Sequence, residues 1–440
     1  MSTTTLNPKA LFQRTWKSRF ARNVALVASG TAGAQAITMA FAPIITRIYG
    51  PEAFGLLGTF MAIVVVATPL AALAYPIAIV LPRDDRDALA LVRLSLWISC
   101  AIALLASALL WVGGDWLIVA LNAQSVSAFF FLIPLAMLLA AWVQIAHQWL
   151  IRKNQFAVIA RVAVAQSLIL NSAKTGLGWL NPTGAVLILI STAGSLLHAT
   201  MMLIGAKRQH GPNQTPQKPY AQKTMRELAH HHRDFPLYRA PQNFINATSQ
   251  SLPVLMLAAL FGPVAAGLYT LAKMVMGMPS ALLGKAVSDV FYPRITDAAH
   301  KGEHLSRHIL HATGPLLLIG ALPFGLVIIF GPWLFGFVFG EDWTMAGEYA
   351  RWLALFFFFN FINKPCVAAV PVLGIQRGLL VYELFSTGSK VLGLLAGFYW
   401  FGSDVMAVAL FSVIGVLAYS TMMLWIFSHA RRWSHDAKAI

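Results

Sequence analysis

Charged residues are scarce in this sequence, since only 11% of its 440 residues are Asp, Glu, Lys or Arg. About a quarter of the residues in a soluble globular protein are charged, so a soluble enzyme of one or two domains is excluded. Acidic residues are the scarcer kind, with 16 Asp and Glu against 32 Lys and Arg and a formal net charge of +16. Because the sequence contains no soluble basic domain, this excess points to the positive-inside rule of membrane proteins and not to nucleic acid.

Cysteine is nearly absent, and both examples, Cys100 and Cys366, fall inside apolar runs. Two cysteines are too few for a disulfide scaffold, so we interpret them as small core side chains. The sequence also lacks a P-loop, a zinc-binding pattern and a nucleophile elbow, and it therefore predicts neither a cofactor nor ATP as the direct energy source. The loops assigned to the outside are short, which argues against an enzyme such as a glycosyltransferase or a glycan polymerase.

Long apolar runs fill most of the chain, which is 58% hydrophobic with a mean hydropathy of +0.68. Twelve of them are long enough to cross a hydrocarbon core of about 30 Å. These predicted spans lie near 23–46, 53–81, 89–112, 127–150, 156–177, 183–206, 235–259, 264–292, 308–330, 345–370, 378–401 and 404–428. Loops on one side carry clusters of Lys and Arg and loops on the other carry only Arg47, so we predict an all-α polytopic membrane protein with both termini cytoplasmic.

The chain contains an internal repeat. Tyr49-Gly50-Pro51-x-x-x-Gly55-Leu56 recurs as Phe261-Gly262-Pro263-x-x-x-Gly267-Leu268. We therefore predict two six-helix bundles, 1–206 and 234–440, joined by a polar cytoplasmic linker at 207–233. Two like bundles related by an axis along the membrane normal are typical of transporters.

Cationic residues are unexpectedly frequent inside or at the ends of the predicted spans. They are Arg161, Lys174, Arg239, Lys273, Lys285, Arg351, Lys364 and Lys390, opposed within spans by Asp289 and Glu383. Each charge at the bilayer centre costs about 2.5 to 3.5 kcal/mol on insertion scales, so such a surplus indicates an anionic ligand. Lys285 with Asp289, and Glu383 with Lys390, are spaced either for structural ion pairs or for ion coupling.

Polar residues follow helical spacing in several spans. In the seventh span, Arg239, Asn243, Asn246 and Gln250 are separated by four, three and four residues, which places them on one helical face. Similar spacing relates Asn171 to Lys174, and Asn360 to Lys364, while Gln35 lies in a fainter stripe of the first span. We predict that these faces line a hydrated cavity whose cationic, amide-rich wall suits phosphate and sugar hydroxyls.

Several segments resemble the bacterial polysaccharide flippases of the Wzx type, which belong to the multidrug/oligosaccharidyl-lipid/polysaccharide exporter superfamily. The matching segments are Thr46 to Gly55, Ala78 to Pro82, Asp234 to Tyr238, Gln250 to Leu255 and Phe291 to Arg294. The resemblance covers nearly the whole chain and marks the fold more than the substrate. One departure is Tyr75-Pro76-Ile77, where relatives often place a charged residue after the aromatic.

The resemblance implies that the chain translocates a polyprenyl-pyrophosphate-linked oligosaccharide from the cytoplasmic to the periplasmic leaflet of a bacterial inner membrane. It also implies that Gln35, Arg239, Asn243, Asn246 and Lys273 surround the cavity. We expect a monomer in contact with membrane lipid, and the polysaccharide polymerase and chain-length machinery as partners.

Two related functions stay open at this point, a drug or cation antiporter of the same superfamily and a lipid II flippase. The antiporter should use intramembrane carboxylates, whereas this chain offers mainly Lys and Arg, and the lipid II flippases usually have two further helices. Coupling to a proton or sodium gradient is a hypothesis, for which the candidate residues are Asp289, Glu383 and Asp234.

Overall fold

The computed structural model describes residues 19–82, 84–120, 124–208 and 224–436, and every regular element in these ranges is helical. The α-helices are α1 (Arg19–Ile48), α2 (Pro51–Ala71), α3 (Tyr75–Ala78), α4 (Asp85–Ala120), α5 (Leu132–Arg152), α6 (Phe156–Leu180), α7 (Gly184–Arg208), α8 (Met225–His231), α9 (Ala240–Phe261), α10 (Pro263–His300), α11 (Leu305–Phe339), α12 (Thr344–Ile362), α13 (Lys364–Leu373), α14 (Gln376–Phe401) and α15 (Asp404–Asp436). Short 3₁₀ helices occupy Gln124–Phe129 and Glu341–Trp343, and a π-helix occupies Phe235–Arg239.

Ten helical stretches within these ranges are long and apolar enough to cross a membrane. They are Pro51–Ala71, Asp85–Trp116, Leu132–Arg152, Phe156–Leu180, Gly184–Ala206, Phe235–Phe261, Leu305–Phe339, Glu341–Leu373, Gln376–Phe401 and Asp404–Arg432. The predicted spans at 23–46 and 264–292 coincide with α1 and α10, which are not among the ten, so the count of twelve stays a prediction. The two ends of the chain and residues 209–223 of the predicted linker lie outside the described ranges.

The second predicted span is interrupted between α2 and α3. Leu73 and Ala74 both have positive φ angles, of 47° and 59°. Left-handed backbone costs about 1–2 kcal/mol for a residue with a Cβ, so the surrounding packing must hold the break in place. Ala71 and Ala72 supply that packing, because both are buried against Met137 and Ala141 of α5.

Arg152 at the end of α5 stabilises the loop before α4 through several hydrogen bonds. The Arg152 guanidinium donates to the carbonyl oxygens of Ile79, Val80 and Pro82 at 3.2, 3.4 and 2.7 Å, and its Nε lies 3.0 Å from Asp85 Oδ1. Lys153 Nζ reaches the other oxygen of the same carboxylate at 2.5 Å. A planar guanidinium can satisfy several acceptors at once, so one side chain fixes the whole turn.

The contacts divide the chain into two compact units. Unit 1 comprises the described residues of Met1–Ile48 and Phe60–Ser251, and unit 2 comprises Tyr49–Thr59 and Leu252–Ile440. The first turns of α2 therefore pack with the second unit, although they belong to the first sequence repeat. The division into two bundles joined by a linker at 207–233 was predicted from the sequence repeat, and it remains a proposal.

Within unit 2, the two glycines of the sequence repeat lie at one crossing of α2 and α10. A Cβ on Gly55 would collide with the carbonyl of Pro263, and a Cβ on Gly267 would collide with the carbonyl of Pro51. Each glycine therefore contacts the proline of the other repeat copy, since Gly55 faces Pro263 and Gly267 faces Pro51. Phe54 packs beside them against the buried Trp343 ring, with centroids 5.0 Å apart. Only glycine allows the two backbones to approach this closely.

Helix α12 is the centre of unit 2. Three consecutive phenylalanines of this helix each pack against a glycine of a different neighbour. The pairs are Phe356 with Gly415 of α15, Phe357 with Gly277 of α10, and Phe358 with Gly320 of α11. Small residues opposite large rings let helices pack closely in a membrane, and the run of phenylalanines therefore serves three interfaces at once.

Candidate functional site

The polar stripe predicted for the seventh span is present on the π-helix and α9 of unit 1. Arg239 ends the π-helix, is exposed, and donates to Gln242 Oε1 at 2.9 Å. Further along, the Gln250 amide donates to Asn246 Oδ1, and both side chains are exposed. The stretch that carries them, Phe235–Phe261, is one of the ten candidate spans. A span that exposes an arginine and two amides along its length presents a hydrophilic surface within an apolar helix.

Two details of this stripe differ from the spacing argument. Asn243 is half-buried, and the hydrogen-bond partner of Arg239 is Gln242. Gln242 was missed, although it lies three residues after Arg239 and the i, i+3 rule for helical pairs could have identified it. Pro236 lies in the first turn of the π-helix, where a missing N–H costs no intrahelical hydrogen bond.

Asn171 lies in a hydrogen-bonded contact between α1 and α6. Its side chain is buried, and Nδ2 donates to the Ser167 carbonyl at 2.7 Å and to Thr38 Oγ1 at 3.3 Å. Ser167 Oγ in turn donates to the Ala34 carbonyl at 2.8 Å. The amide therefore holds two helices of unit 1 together, and a contact with substrate stays a prediction. Gln35 and Lys174, near opposite ends of this contact, are half-buried.

In unit 2, Lys273 lies on α10 and Lys364 begins α13, and both are half-buried. The break between α12 and α13 places Asn363 directly before Lys364. Asn363 is 1% exposed, and its Oδ1 has no hydrogen-bond partner within the described part of the chain. Pro365 explains the break, since proline fits the first turn of a helix and not its interior.

Lys390 was missed as a site residue. Its ammonium lies over three aromatic rings, 5.7 Å from the Phe356 centroid and 6.0 Å from those of Phe411 and Tyr419. The sequence predicted only an interaction with Glu383, and no salt bridge joins this pair in the described part of the chain. The rings belong to α12 and α15, so no spacing along α14 could have revealed them.

The structure describes the side chains of two of the three candidate ion-coupling residues, one in each unit. Glu383 is exposed on α14 of unit 2, and Asp234 is exposed before the π-helix of unit 1. The side chain of Asp289 lies outside the described part of the chain. No group of three His, Cys, Asp or Glu residues that could hold a metal ion occurs among the described residues.

The end of the predicted linker forms the short helix α8, which docks on unit 1. Thr224 and Glu227 make a reciprocal capping box at its start. Leu228 is buried against Tyr75, whose hydroxyl donates to the Ala229 carbonyl at 3.1 Å. The Thr-x-x-Glu pattern is a readable signal for a helix start, and it was overlooked in a segment interpreted as a polar loop.

Comparison with known sequences identifies relatives over most of the chain. Residues 44–348, more than half of the chain, match the family described as "Polysaccharide biosynthesis protein". The succinoglycan biosynthesis transport protein ExoT of Rhizobium meliloti (strain 1021) is 24% identical over 380 residues, which cover 84% of this chain and 72% of that protein.

Solved structures of two kinds of transporter share the fold. The lipid II flippase MurJ in an inward closed conformation has a TM-score of 0.70 at 11% identity, covering 94% of this chain and 91% of that one. An inward-facing multidrug resistance MATE family transporter of the MOP superfamily has a TM-score of 0.69 at 13% identity, covering 94% and 96%. The predicted all-helical membrane fold is therefore confirmed.

Proposed function

The chain belongs to the family of polysaccharide biosynthesis proteins, and from that premise we propose that it is a flippase for a lipid-linked glycan. The predicted family resemblance is confirmed, and the chain is a multi-pass membrane transporter and not an enzyme. ExoT, which is a succinoglycan biosynthesis transport protein, supports the assignment.

One observation carries the proposal, the exposed polar stripe of Arg239, Asn246 and Gln250 on a candidate membrane span. A guanidinium binds phosphate oxygens through paired N–H groups, and amides both donate to and accept from sugar hydroxyls. A lipid-linked glycan joins these two chemistries in one molecule, because an anionic linkage separates its sugars from its lipid.

The proposed substrate is an oligosaccharide repeat unit, of O-antigen or of an exopolysaccharide, linked through pyrophosphate to a polyprenol. We assign the diphosphate to the cationic side chains Arg239, Lys174, Lys273 and Lys364. We assign the glycan to the amides at Gln35, Asn171, Asn243, Asn246 and Gln250. The direction is from the cytoplasmic to the periplasmic leaflet of a bacterial inner membrane, by alternating access of two six-helix bundles with cytoplasmic termini.

A proton or sodium gradient is proposed as the energy source, with Asp289, Glu383 and Asp234 as candidate coupling residues. Purified protein in vesicles with defined proton and sodium gradients tests this coupling directly. Transport that is unchanged when both gradients are collapsed would remove the coupling and leave the flippase assignment intact. The polysaccharide polymerase and its chain-length machinery are the proposed partners, because they use the flipped product.

The flippase assignment is tested in a strain that lacks the gene, by measuring surface polysaccharide and the leaflet distribution of lipid-linked intermediates. Arg239→Ala and Lys273→Ala should abolish export while folded protein remains in the membrane. Lys301→Ala is the matched control, since this exposed cation at the end of α10 lies outside the proposed binding set. Export at the control level by both cavity variants would refute the cationic site, and normal export without the gene would favour a drug antiporter.

A further inference from the structure

The surroundings of Lys390 are those of a cation-binding site. Aromatic faces attract cations through the negative face of the ring, and the attraction strengthens where water is excluded. Three such faces lie within 6.0 Å of the Lys390 ammonium. Glu383 lies two turns earlier on the same helix and makes no salt bridge with Lys390 among the described residues.

The rings are positioned by contacts of their own and not only by the lysine. The Phe356 centroid lies 5.5 Å from that of Phe411 and 5.4 Å from that of Tyr419. The Tyr419 hydroxyl accepts a hydrogen bond from Asn360 Nδ2 at 2.5 Å. The cage is therefore built by α12 and α15, and α14 contributes the ammonium that enters it.

Gly415 of α15 leaves room for the Phe356 ring of the cage. A Cβ at this position would collide with the Phe356 ring and would lie 3.5 Å from Lys390 Cδ.

We propose that Phe356, Phe411 and Tyr419 form a cation site in unit 2 for a primary alkyl ammonium, and that Lys390 is its permanent, covalently tethered occupant. Because the lysine fills the site, the native site takes up no free cation. The inference does not depend on the flippase assignment, since its test measures binding and not transport.

The test is chemical rescue of Lys390→Ala, measured as the melting temperature of the purified full-length protein in detergent. The truncation removes three methylene groups and the ammonium, which together correspond to propylammonium. Lys390→Ala should melt below the native protein, and propylammonium chloride should restore most of the loss with a saturable dependence. Propanol at equal concentration should not restore the melting temperature of Lys390→Ala. The melting temperature of the native protein should show no saturable dependence on propylammonium.

Lys364→Ala is the matched control, because Lys364 is also a half-buried span lysine of unit 2 and no three-ring cage surrounds it among the described residues. Equal effects of propylammonium and propanol on Lys390→Ala, or the same saturable rescue of Lys364→Ala, would overturn the proposal. Absence of any rescue of a folded Lys390→Ala protein would also overturn it.

If Lys390→Ala does not fold, a double-mutant cycle of Lys390→Met and Phe411→Leu tests the proposal instead. Methionine fills the stem volume without the charge. The proposal requires that Phe411→Leu lowers the melting temperature more when Lys390 is present than when methionine replaces it. Equal losses in the two backgrounds would contradict it.

Discussion

The crossing of α2 and α10 in unit 2 should not tolerate a single added methyl group. A Cβ on Gly267 would lie 2.8 Å from the carbonyl carbon of Pro51, whereas ordinary contacts begin at 3.4 Å. The obstructing atoms are backbone and cannot rotate away, so the helices must separate by more than about half an ångström. Overpacking of this kind costs about 1–3 kcal/mol. We therefore expect Gly55→Ala and Gly267→Ala each to destabilise unit 2.

The assay is thermal unfolding of the purified variants in detergent, followed by tryptophan fluorescence. For a unit of this size, 1 kcal/mol shifts the melting temperature by about 2–4 °C, so the expected loss is about 2–12 °C for each variant. In the double variant the second methyl enters a crossing that the first has already opened. The combined loss should therefore be smaller than the sum of the two.

Gly325→Ala is the matched control, because Gly325 lies in α11 of the same unit and a Cβ there would meet nothing within 4 Å. Alanine is favoured over glycine inside a helix by about 0.5–1 kcal/mol, so this variant should melt at or above the native temperature. The reasoning fails if the two crossing variants melt together with the control, or if their effects add fully.

Two further predictions concern unit 1. Arg152→Ala should lower the free energy of unfolding by about 2–3 kcal/mol, because charge-assisted hydrogen bonds to Asp85 and to three carbonyls are lost. Arg152→Lys should recover only part of the lost melting temperature. Full recovery would show that charge alone matters. Asn171→Leu should cost about 1 kcal/mol through the lost contact with Thr38 and Ser167. An unchanged melting temperature would contradict this structural role and leave only the proposed contact with the glycan.

Local patterns in the sequence predicted local structure well. The hydrogen bond between Asn246 and Gln250 follows from their spacing of four residues on one helix. The sequence repeat contains both Gly55 and Gly267. It did not indicate that they meet, since a repeat reports equivalence and not contact.

Contacts between distant segments were not predictable from the sequence alone. Helical spacing relates Asn171 to Lys174 one turn further along, but it does not indicate the hydrogen bond from Asn171 to Thr38, which lies on another helix. Lys390 was paired with the one acidic residue near it in sequence, whereas three rings from two other helices surround it. In both cases the polar group is satisfied across a helix interface, which periodicity along one helix does not describe.

The contact between the two repeat copies at the glycine crossing has a consequence for biosynthesis. Gly55 leaves the ribosome 212 residues before Gly267, and at about 5–20 residues per second this interval lasts about 10 to 40 s. Throughout that time Tyr49–Thr59 is already synthesised, while the helix that it packs against in unit 2 is not. Unit 2 therefore contains a segment that is synthesised well before the rest of the unit. The second half of the gene does not encode the whole of unit 2.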